Sequence, residues 1–441
     1  MRDLAITGIL AALLLAALRR PWLGVLALAV AAYLQPAIYA AGSIRSFPVY
    51  TVLSCGVALA VLFHRNEWQW LPHDWRLTVL LLLWGYFLFT TWYAAVYPPA
   101  AWRKFWEVSI VLASLILTLL LIDSREKLFY LLVTIATCIA LVTVKGGLWA
   151  IMTGFGNIVF GPPTSQYFDN NLFAVLMVMN IPLLVLWLRE TRNETLRYGL
   201  MLTIALSVAA VLGTWSRGGL LALGVTILLL LWHSQRKFLA LLLLLAAVGL
   251  TFIYLPEDWF ARMQSITTYE QDQSAMGRLE LWQIGLDQAL QHPLMGIGFD
   301  GWLITAVRPG ATRMNWHNAY VAIMAEHGFF AFVLWFSLLF GTIVSLTRLA
   351  WLSRRFPVLA WVSDYSLMLR ASLIGYAIGV LFEELAYWGI LYQLLVIAIL
   401  LKHLALAEVA RMVSTRPGAG ASPATAATAA PALVLQGNEL G

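Results

Sequence analysis

His317 is the side chain in this sequence best suited to acid–base chemistry, and it stands within the run NWHNAY at 315–320. Histidine changes charge near neutral pH, so its imidazole can take a proton from an attacking hydroxyl group. The alternative is a structural role, because Trp316 and Tyr320 flank it and such aromatic residues collect where a membrane meets water. His317 is therefore a candidate general base whose role depends on the charged residues around it.

Two arginines have the surroundings of an anion-binding group. Arg217 lies in the turn TWSRGG at 214–219, where the paired glycines would let a ligand approach the backbone closely. Arg278 is expected to begin a helix, where a positive side chain opposes the helix dipole and a bound phosphate would remove that cost. The alternatives are an interfacial arginine that reaches toward water for Arg217 and simple solvation for Arg278.

Three further cations map to the same face of the protein as these arginines. Lys145 ends an apolar segment and is followed by two glycines, whereas Arg308 and Arg313 come shortly before His317. Positive groups around one base suit a reaction in which a hydroxyl displaces a pyrophosphate. The arginines would neutralise the charge that develops on the diphosphate, while the histidine would activate the acceptor.

The composition places these residues in a membrane protein. Apolar residues make up 61% of the 441 positions and charged residues 11%, against roughly 45–50% and about 25% in soluble domains. The net charge of +6 comes without a dense run of lysine and arginine, so no nucleic-acid partner is expected. The two cysteines, Cys55 and Cys138, support neither a disulfide framework nor a thiolate metal site.

Apolar segments recur along the chain and predict an all-α polytopic membrane protein in contact with membrane lipids. A spanning helix needs about 20 mostly apolar residues. The candidates are 4–18, 21–41, 48–63, 77–97, 105–122, 127–147, 171–189, 197–213, 219–233, 237–255, 317–347, 367–383 and 386–403. Because several of them are short, we expect twelve full spans rather than thirteen.

Basic residues in short loops give the expected orientation, since such loops stay in the cytoplasm. Arginine and lysine concentrate in 189–197, at 236–237 and in 348–370, which alternate along the chain and would share the cytoplasmic side. The segment 256–316 then lies outside, on the periplasmic face. Four candidate residues map to that outer side, namely Lys145, Arg217, Arg278 and His317.

The chain thereby divides into four parts. N-terminal transmembrane helices occupy 1–255, the large periplasmic loop 256–316, and C-terminal transmembrane helices 317–405. The tail at 413–441 is rich in Ala, Pro, Gly and Thr, and we expect it to be disordered and cytoplasmic. Whether 4–18 crosses the membrane decides the side of the N-terminus.

The periplasmic loop is expected to contain an amphipathic helix from Arg278 to Gln291. Its apolar face would carry, at helical spacing, Leu279, Trp282, Leu286 and Leu290. A helix of this kind suits the membrane surface or the cover of a cavity. His292 and Pro293 would end it.

Several short motifs resemble those of the O-antigen ligase/polymerase superfamily of bacterial inner-membrane glycosyltransferases. In chain order they are WSRGG at 215–219, GR at 277–278 with LW at 281–282, HPL at 292–294 with GIG at 296–298, and HN at 317–318 followed by Glu326 and Gly328. The order of the motifs and the large outer loop match as well. The resemblance covers roughly residues 140–405.

The resemblance implies a GT-C-like glycosyltransferase, specifically an O-antigen ligase, in the inner membrane of a Gram-negative bacterium. Such an enzyme would move a glycan from undecaprenyl pyrophosphate to lipid A–core on the periplasmic face, in lipopolysaccharide biosynthesis, without a metal or cofactor. By position, His317 would be the catalytic base, and Arg217 and Arg278 would bind the pyrophosphate. Further substrate-binding candidates are Lys145, Arg308, Arg313 and Asn318.

Other functions remain open from the sequence. O-antigen polymerases and protein O-glycosylation ligases share these motifs and differ in the acceptor. A transporter or flippase of lipid-linked glycan would place charged groups near the bilayer midplane, whereas the charges here gather at one face. A purely structural role as a membrane scaffold would explain neither the position of Arg278 nor the size of the outer loop.

Overall fold

The computed structural model describes residues 2–234, 254–264, 273–305 and 315–414, with four single positions between the first two ranges. This part of the chain is largely helical and contains no strand, as expected for an all-α protein. Its helices are α1 (Arg2–Arg19), α2 (Pro21–Tyr33), α3 (Val49–Phe63), α4 (Trp75–Tyr93), α5 (Pro98–Leu121), α6 (Arg125–Met152), α7 (Asn170–Glu190), α8 (Glu194–Gly213), α9 (Arg217–Trp232), α10 (Glu257–Gln264), α11 (Gln273–Gln291), α12 (Ala319–Ser353), α13 (Ala360–Gly379) and α14 (Gly389–Ser414).

Seven helices within the described ranges are long and apolar enough to cross a membrane: α4, α5, α6, α7, α8, α12 and α14. The helices α2, α3 and α9 are apolar but have only 13, 15 and 16 residues. The expected count of twelve spans is therefore not confirmed. The candidate span 237–255 and the tail at 413–441 lie almost wholly outside the described residues.

The bundle is organised around α7 and α14. In their most apolar stretches 72% and 78% of the residues are buried, against 33% in α8, which lies at the periphery. Close approach of α6 to α8 depends on Gly147, where a Cβ would stand 2.2 Å from the carbonyl oxygen of Leu206. In a membrane the hydrophobic effect does not drive helices together, and small residues stabilise their association by letting the backbones approach closely.

The three loops expected on the cytoplasmic side meet at one end of the bundle. Arg189 Nη1 donates to Asp364 Oδ1 at 2.7 Å, which joins the loop after α7 to the start of α13. Arg370 Nη2 lies 2.9 Å from His233 Nε2, which joins α13 to the end of α9. The end of α7 and the end of α9 therefore both contact α13, and the assignment of this end of the bundle to the cytoplasm remains a prediction.

At the opposite end, three helices begin behind a polar capping residue. Asp169 before α7, Ser216 before α9 and Asn318 before α12 each accept a hydrogen bond from a backbone N–H of the first helical turn. A capping oxygen satisfies one of the N–H groups that a helix start leaves without an intrahelical partner. We call this the His317 end of the bundle.

The amphipathic helix of the outer loop differs from the expected one in extent and orientation. α11 begins at Gln273 rather than at Arg278. Its buried residues are Leu281, Gly285 and Ala289, and a Cβ at Gly285 would lie 2.4 Å from the Val321 side chain on α12. The expected apolar face is mostly outward, with exposures of 42% for Leu279, 41% for Leu286 and 68% for Leu290.

Small residues explain this orientation of α11. At Gly285 the contact between the two helices leaves no room for a side chain, and hydrophobic spacing does not predict a buried face that carries Gly285 and Ala289 beside Leu281. The larger leucines are therefore left on the outer side, where an apolar surface suits the membrane interface.

α12 is broken at Gly328, which has φ 76° and ψ 179°. The segment 293–298 replaces the helical hydrogen bonds that this break removes. Ile297 N–H donates to the Ala325 carbonyl at 3.0 Å, and Phe329 N–H donates to the Pro293 carbonyl at 2.8 Å. A Cβ at Gly328 would lie 2.3 Å from the Leu294 carbonyl oxygen, so the position excludes a side chain.

Candidate active site

Two of the predicted site residues meet on one carboxylate at the His317 end. Arg278 Nη2 donates to Glu383 Oε1 at 3.3 Å. His317 Nδ1 lies 3.6 Å from Glu383 Oε2, the other oxygen of the same group. Glu383 is 5% exposed and stands in the turn 380–388 between α13 and α14, so three separate elements supply this cluster.

His317 has a backbone conformation that holds its side chain toward Glu383. Its φ is 46°, in the left-handed region that non-glycine residues occupy only at a cost of about 1–3 kcal/mol. The neighbours on both sides are anchored, since Trp316 N–H donates to Glu384 Oε2 at 2.8 Å and Ala319 N–H donates to the Val380 carbonyl at 2.9 Å. The imidazole is 16% exposed, so it remains accessible to a substrate from one side.

Arg278 was expected to bind an anion because it would begin a helix, and that prediction of its position was wrong. Because α11 begins at Gln273, Arg278 lies beyond the first helical turn and does not face the N–H groups that bind anions. Its charge is instead offset by Glu383. A guanidinium has five N–H donors, so this ion pair leaves donors for a second acidic group.

Arg217 is the first residue of α9 and lies beside the same turn. A Cβ at its neighbour Gly218 would stand 2.8 Å from the ring of Phe382, the residue before Glu383. The start of α9 therefore touches the 380–388 turn directly. The positive end of the α9 dipole and Arg217 together favour an anion at this point.

The remaining candidates are not brought into this cluster. Lys145 is exposed on α6 and lines a different cavity with Tyr39 and Phe160. Asn318 uses its side-chain oxygen to accept from the N–H groups of Tyr320 and Val321, at 2.9 and 3.1 Å, and so acts as a helix cap. Arg308 and Arg313 lie outside the described residues.

A second carboxylate network lies behind His317. Glu326 Oε1 accepts from the indole N–H of Trp316 and from the backbone N–H of Asp300, each at 3.2 Å. Tyr387 O–H donates to Glu326 Oε2 at 2.6 Å. One fully buried group thus joins the residue before His317, the glycine-rich segment after α11 and the turn that carries Glu383.

The two acids of the turn differ in what offsets their charge. Burial raises the pKa of Glu383, and the adjacent His317 and Arg278 oppose that rise. Burial also raises the pKa of Glu384 to about 7, against the hydrogen bond from the Trp316 N–H and the charge of Lys104. Glu383 therefore has two cationic partners, whereas Glu384 has one backbone donor and a more distant lysine.

The pKa of Glu384 predicts a pH dependence of stability. Folded protein holds this proton up to about pH 7, whereas the unfolded chain releases it near the ordinary value of 4.5. The stability that this group contributes is therefore complete below the unfolded value and is lost as the pH rises through about 7. We expect the unfolding temperature to fall across this range in the wild type and to fall less in Glu384→Gln.

Thermal unfolding of the two proteins in the same detergent, between pH 5 and pH 8, measures this difference. Glutamine keeps an oxygen that can accept from the Trp316 N–H, so the variant removes the titration and preserves the contact. Unfolding temperatures that change in parallel in the two proteins would contradict the assignment to Glu384.

Sequence reasoning missed Glu383 and Glu384, which stand at the junction of the apolar segments 367–383 and 386–403, as site residues. A signal was present, because acids at the depth of apolar segments are costly and usually face a cavity or a partner. Their partners Arg278 and His317 are far away in the chain, so the sequence alone does not pair them.

Comparisons with known proteins show which families this sequence resembles. Residues 202–336 match the family described as O-antigen ligase, and residues 1–193 match a family of unknown function. A Pseudomonas aeruginosa protein described as an O-antigen ligase is 26% identical over 170 residues. That match spans 37% of this chain and 38% of the relative, so it covers well under half of the relative's length. The first match includes Arg217, Arg278 and His317 but ends before Glu383.

Proposed function

We infer from its membership of the O-antigen ligase superfamily that this chain is a membrane glycosyltransferase, and we propose that it acts as an O-antigen ligase. It would transfer a glycan from undecaprenyl pyrophosphate to lipid A–core on the periplasmic face of the inner membrane. One observation carries the proposal, the bridging of His317 and Arg278 by the carboxylate of Glu383. A base and a diphosphate-binding cation are thereby held at one point.

His317 serves as the general base. The acceptor hydroxyl attacks the anomeric carbon of the donor sugar, the bond from that carbon to the pyrophosphate oxygen breaks, and the hydroxyl proton passes to His317 Nε2. Glu383 facing Nδ1 keeps the proton on that nitrogen and stabilises the imidazolium that forms, as the carboxylate does in a Ser-His-Asp triad. The 3.6 Å separation is long for a hydrogen bond, and such contacts tighten once substrate is bound.

Arg278 and Arg217 hold the diphosphate. The leaving undecaprenyl pyrophosphate carries one more negative charge than it had as the glycosyl ester, and two guanidinium groups near the 380–388 turn stabilise that charge. Arg278 reaches it with the N–H donors that Glu383 leaves available. Arg217 contributes together with the N-terminal N–H groups of α9.

Loss of either arginine is expected to weaken donor binding. Arg217→Ala and Arg278→Ala should each raise the Kd for the lipid diphosphate donor about tenfold or more, since a charge-assisted hydrogen bond is worth roughly 1.5–3 kcal/mol. Binding of the donor to purified protein in nanodiscs measures the effect. Lys145→Ala is the matched control, because this exposed cation lies away from the cluster and should leave the Kd unchanged. Unchanged donor affinity in both arginine variants would remove the diphosphate role.

The choice of acceptor is tested by supplying two acceptors in parallel. Purified protein receives a lipid-linked glycan together with either lipid A–core or a second lipid-linked glycan. Capped lipid A–core is the product expected of a ligase. A lengthened glycan on the lipid carrier would instead identify a polymerase. Transfer to neither acceptor, with transfer to an acceptor protein supplied in a third reaction, would identify a protein O-glycosylation ligase.

A further inference from the structure

A separate cavity with both apolar and polar walls lies at the His317 end, on the other side of the 380–388 turn. Its volume is about 220 Å³, and it opens between α2, α3, α5 and α14. Trp388 and Gly389, which follow the turn, form part of its wall, and Tyr167 closes it from the loop before α7. None of the residues assigned to the transfer reaction lines it.

The cavity contains a buried side chain whose amide has no partner. Gln393, on the second turn of α14, is 8% exposed. Its Nε2 has no hydrogen-bond partner among the residues that the structure describes. A buried amide without a partner costs roughly 1–3 kcal/mol, and a polar ligand in the cavity would offset that cost.

The other polar groups of the cavity are spaced along α5. Ser114 and Thr118 contribute hydroxyls near the inner end, and Glu107 contributes a carboxylate at the mouth. Glu107 is 59% exposed although it lies well inside a helix that is apolar enough to span a membrane. An acid at that depth faces an aqueous opening or a polar ligand rather than lipid.

We propose that this cavity binds a pyranose unit of one of the two glycan substrates. The amide, hydroxyl and carboxylate groups match the alternating donors and acceptors of sugar hydroxyls. Aromatic rings of Tyr33, Tyr167 and Trp388 offer flat faces to the C–H surface of the ring. A lipid tail would leave the Gln393 amide without a partner. The nearby Lys104, 4.0 Å from Glu107, leaves the mouth close to neutral and therefore suited to an uncharged ligand.

Direct sugar binding tests the cavity without any transfer reaction. Glucose and N-acetylglucosamine are titrated into the full chain in nanodiscs, and binding is followed by saturation-transfer NMR. We expect at least one sugar to bind the wild type and to bind Gln393→Leu about tenfold more weakly, as for one lost hydrogen bond. Thr342→Val is the matched control. It removes a buried hydroxyl that likewise has no hydrogen-bond partner among the described residues, and it should bind the sugar as the wild type does.

Glu107→Ala provides a second variant whose exposed position leaves folding intact, and it should weaken the same sugar. Equal binding by the wild type, Gln393→Leu and Glu107→Ala would overturn the proposal, as would no binding of either sugar to the wild type. The proposal rests on the proposed glycosyl transfer, but sugar binding is measured separately. Binding without any transfer would refute the transfer reaction and leave the cavity assignment standing.

The source of the pyranose unit is read from steady-state kinetics of Gln393→Leu. A KM raised about tenfold for the acceptor alone assigns the cavity to the acceptor glycan, and the same rise for the donor alone assigns it to the donor glycan. Either result supports a substrate-sugar site. Unchanged KM values for both substrates would refute the role of the cavity in recognising them.

Discussion

Replacement of His317 by asparagine is expected to lower glycan transfer by about 10²–10⁴-fold, the usual contribution of a general base. Asparagine lacks a group that takes a proton near neutral pH. It tolerates the left-handed φ of 46° better than most residues, so the local backbone should be preserved. His317→Ala should lose activity to the same extent. Transfer is measured with purified protein and lipid-linked donor, and folding is checked by the unfolding temperature.

The control for this prediction is His73→Asn. His73 is exposed just before α4, at the opposite end of the bundle, and its replacement should leave transfer unchanged. Full transfer by His317→Asn with an unaltered unfolding temperature would show that the proton is accepted elsewhere. Loss of transfer together with loss of folding in both His317 variants would mean that the residue is structural.

Glu383→Gln is expected to lower kcat strongly while leaving the donor KM unchanged or lower. The variant removes the carboxylate that faces His317 Nδ1, and a protease histidine that loses its orienting carboxylate slows by roughly 10⁴-fold. It also removes a negative charge beside Arg278, which frees that guanidinium for the diphosphate. Steady-state kinetics with varied donor concentration separates the two effects.

This division between kcat and KM distinguishes Glu383 from a purely structural acid. A structural role would lower the amount of folded protein and leave both constants of the remaining enzyme unchanged. Asp287→Asn, an exposed acid of α11, is the matched control and should behave as the wild type. A donor KM that rises with little change in kcat would argue that Glu383 positions Arg278 rather than His317.

Hydrophobicity predicted the described helices well because burial in lipid requires long apolar segments with their backbone groups bonded internally. The candidate at 171–189 became α7 (Asn170–Glu190), and the one at 197–213 became α8 (Glu194–Gly213). The order in which helices pack was not predictable in the same way. Helices apolar on all sides carry no stripe that identifies a neighbour.

The sequence could predict which face of the membrane carries the candidate site, because charged residues at the ends of apolar segments indicate the side on which those ends lie. Arg217, Arg278 and His317 were placed on one face from loop charges. The structure brings Arg278 and His317 to Glu383 in the 380–388 turn and places the start of α9, which carries Arg217, beside the same turn. Lys145 was also assigned to the outer face, yet it lines a different cavity. Loop charges assign a residue to one side of the membrane but do not give its position around the helix bundle. Glu383 was missed because its role depends on partners from α11 and the segment before α12.

The break of α12 at Gly328 also bears on how the chain is assembled in the membrane. A helix enters the bilayer readily when its own backbone satisfies every N–H and C=O group. α12 does not meet that condition alone, since Ala325 and Glu326 carbonyls accept from Ile297 and Gly298, which belong to the loop. The upper part of this helix therefore cannot reach its final depth before the loop has docked. We therefore expect insertion of this span and assembly of the candidate site to be a single cooperative event.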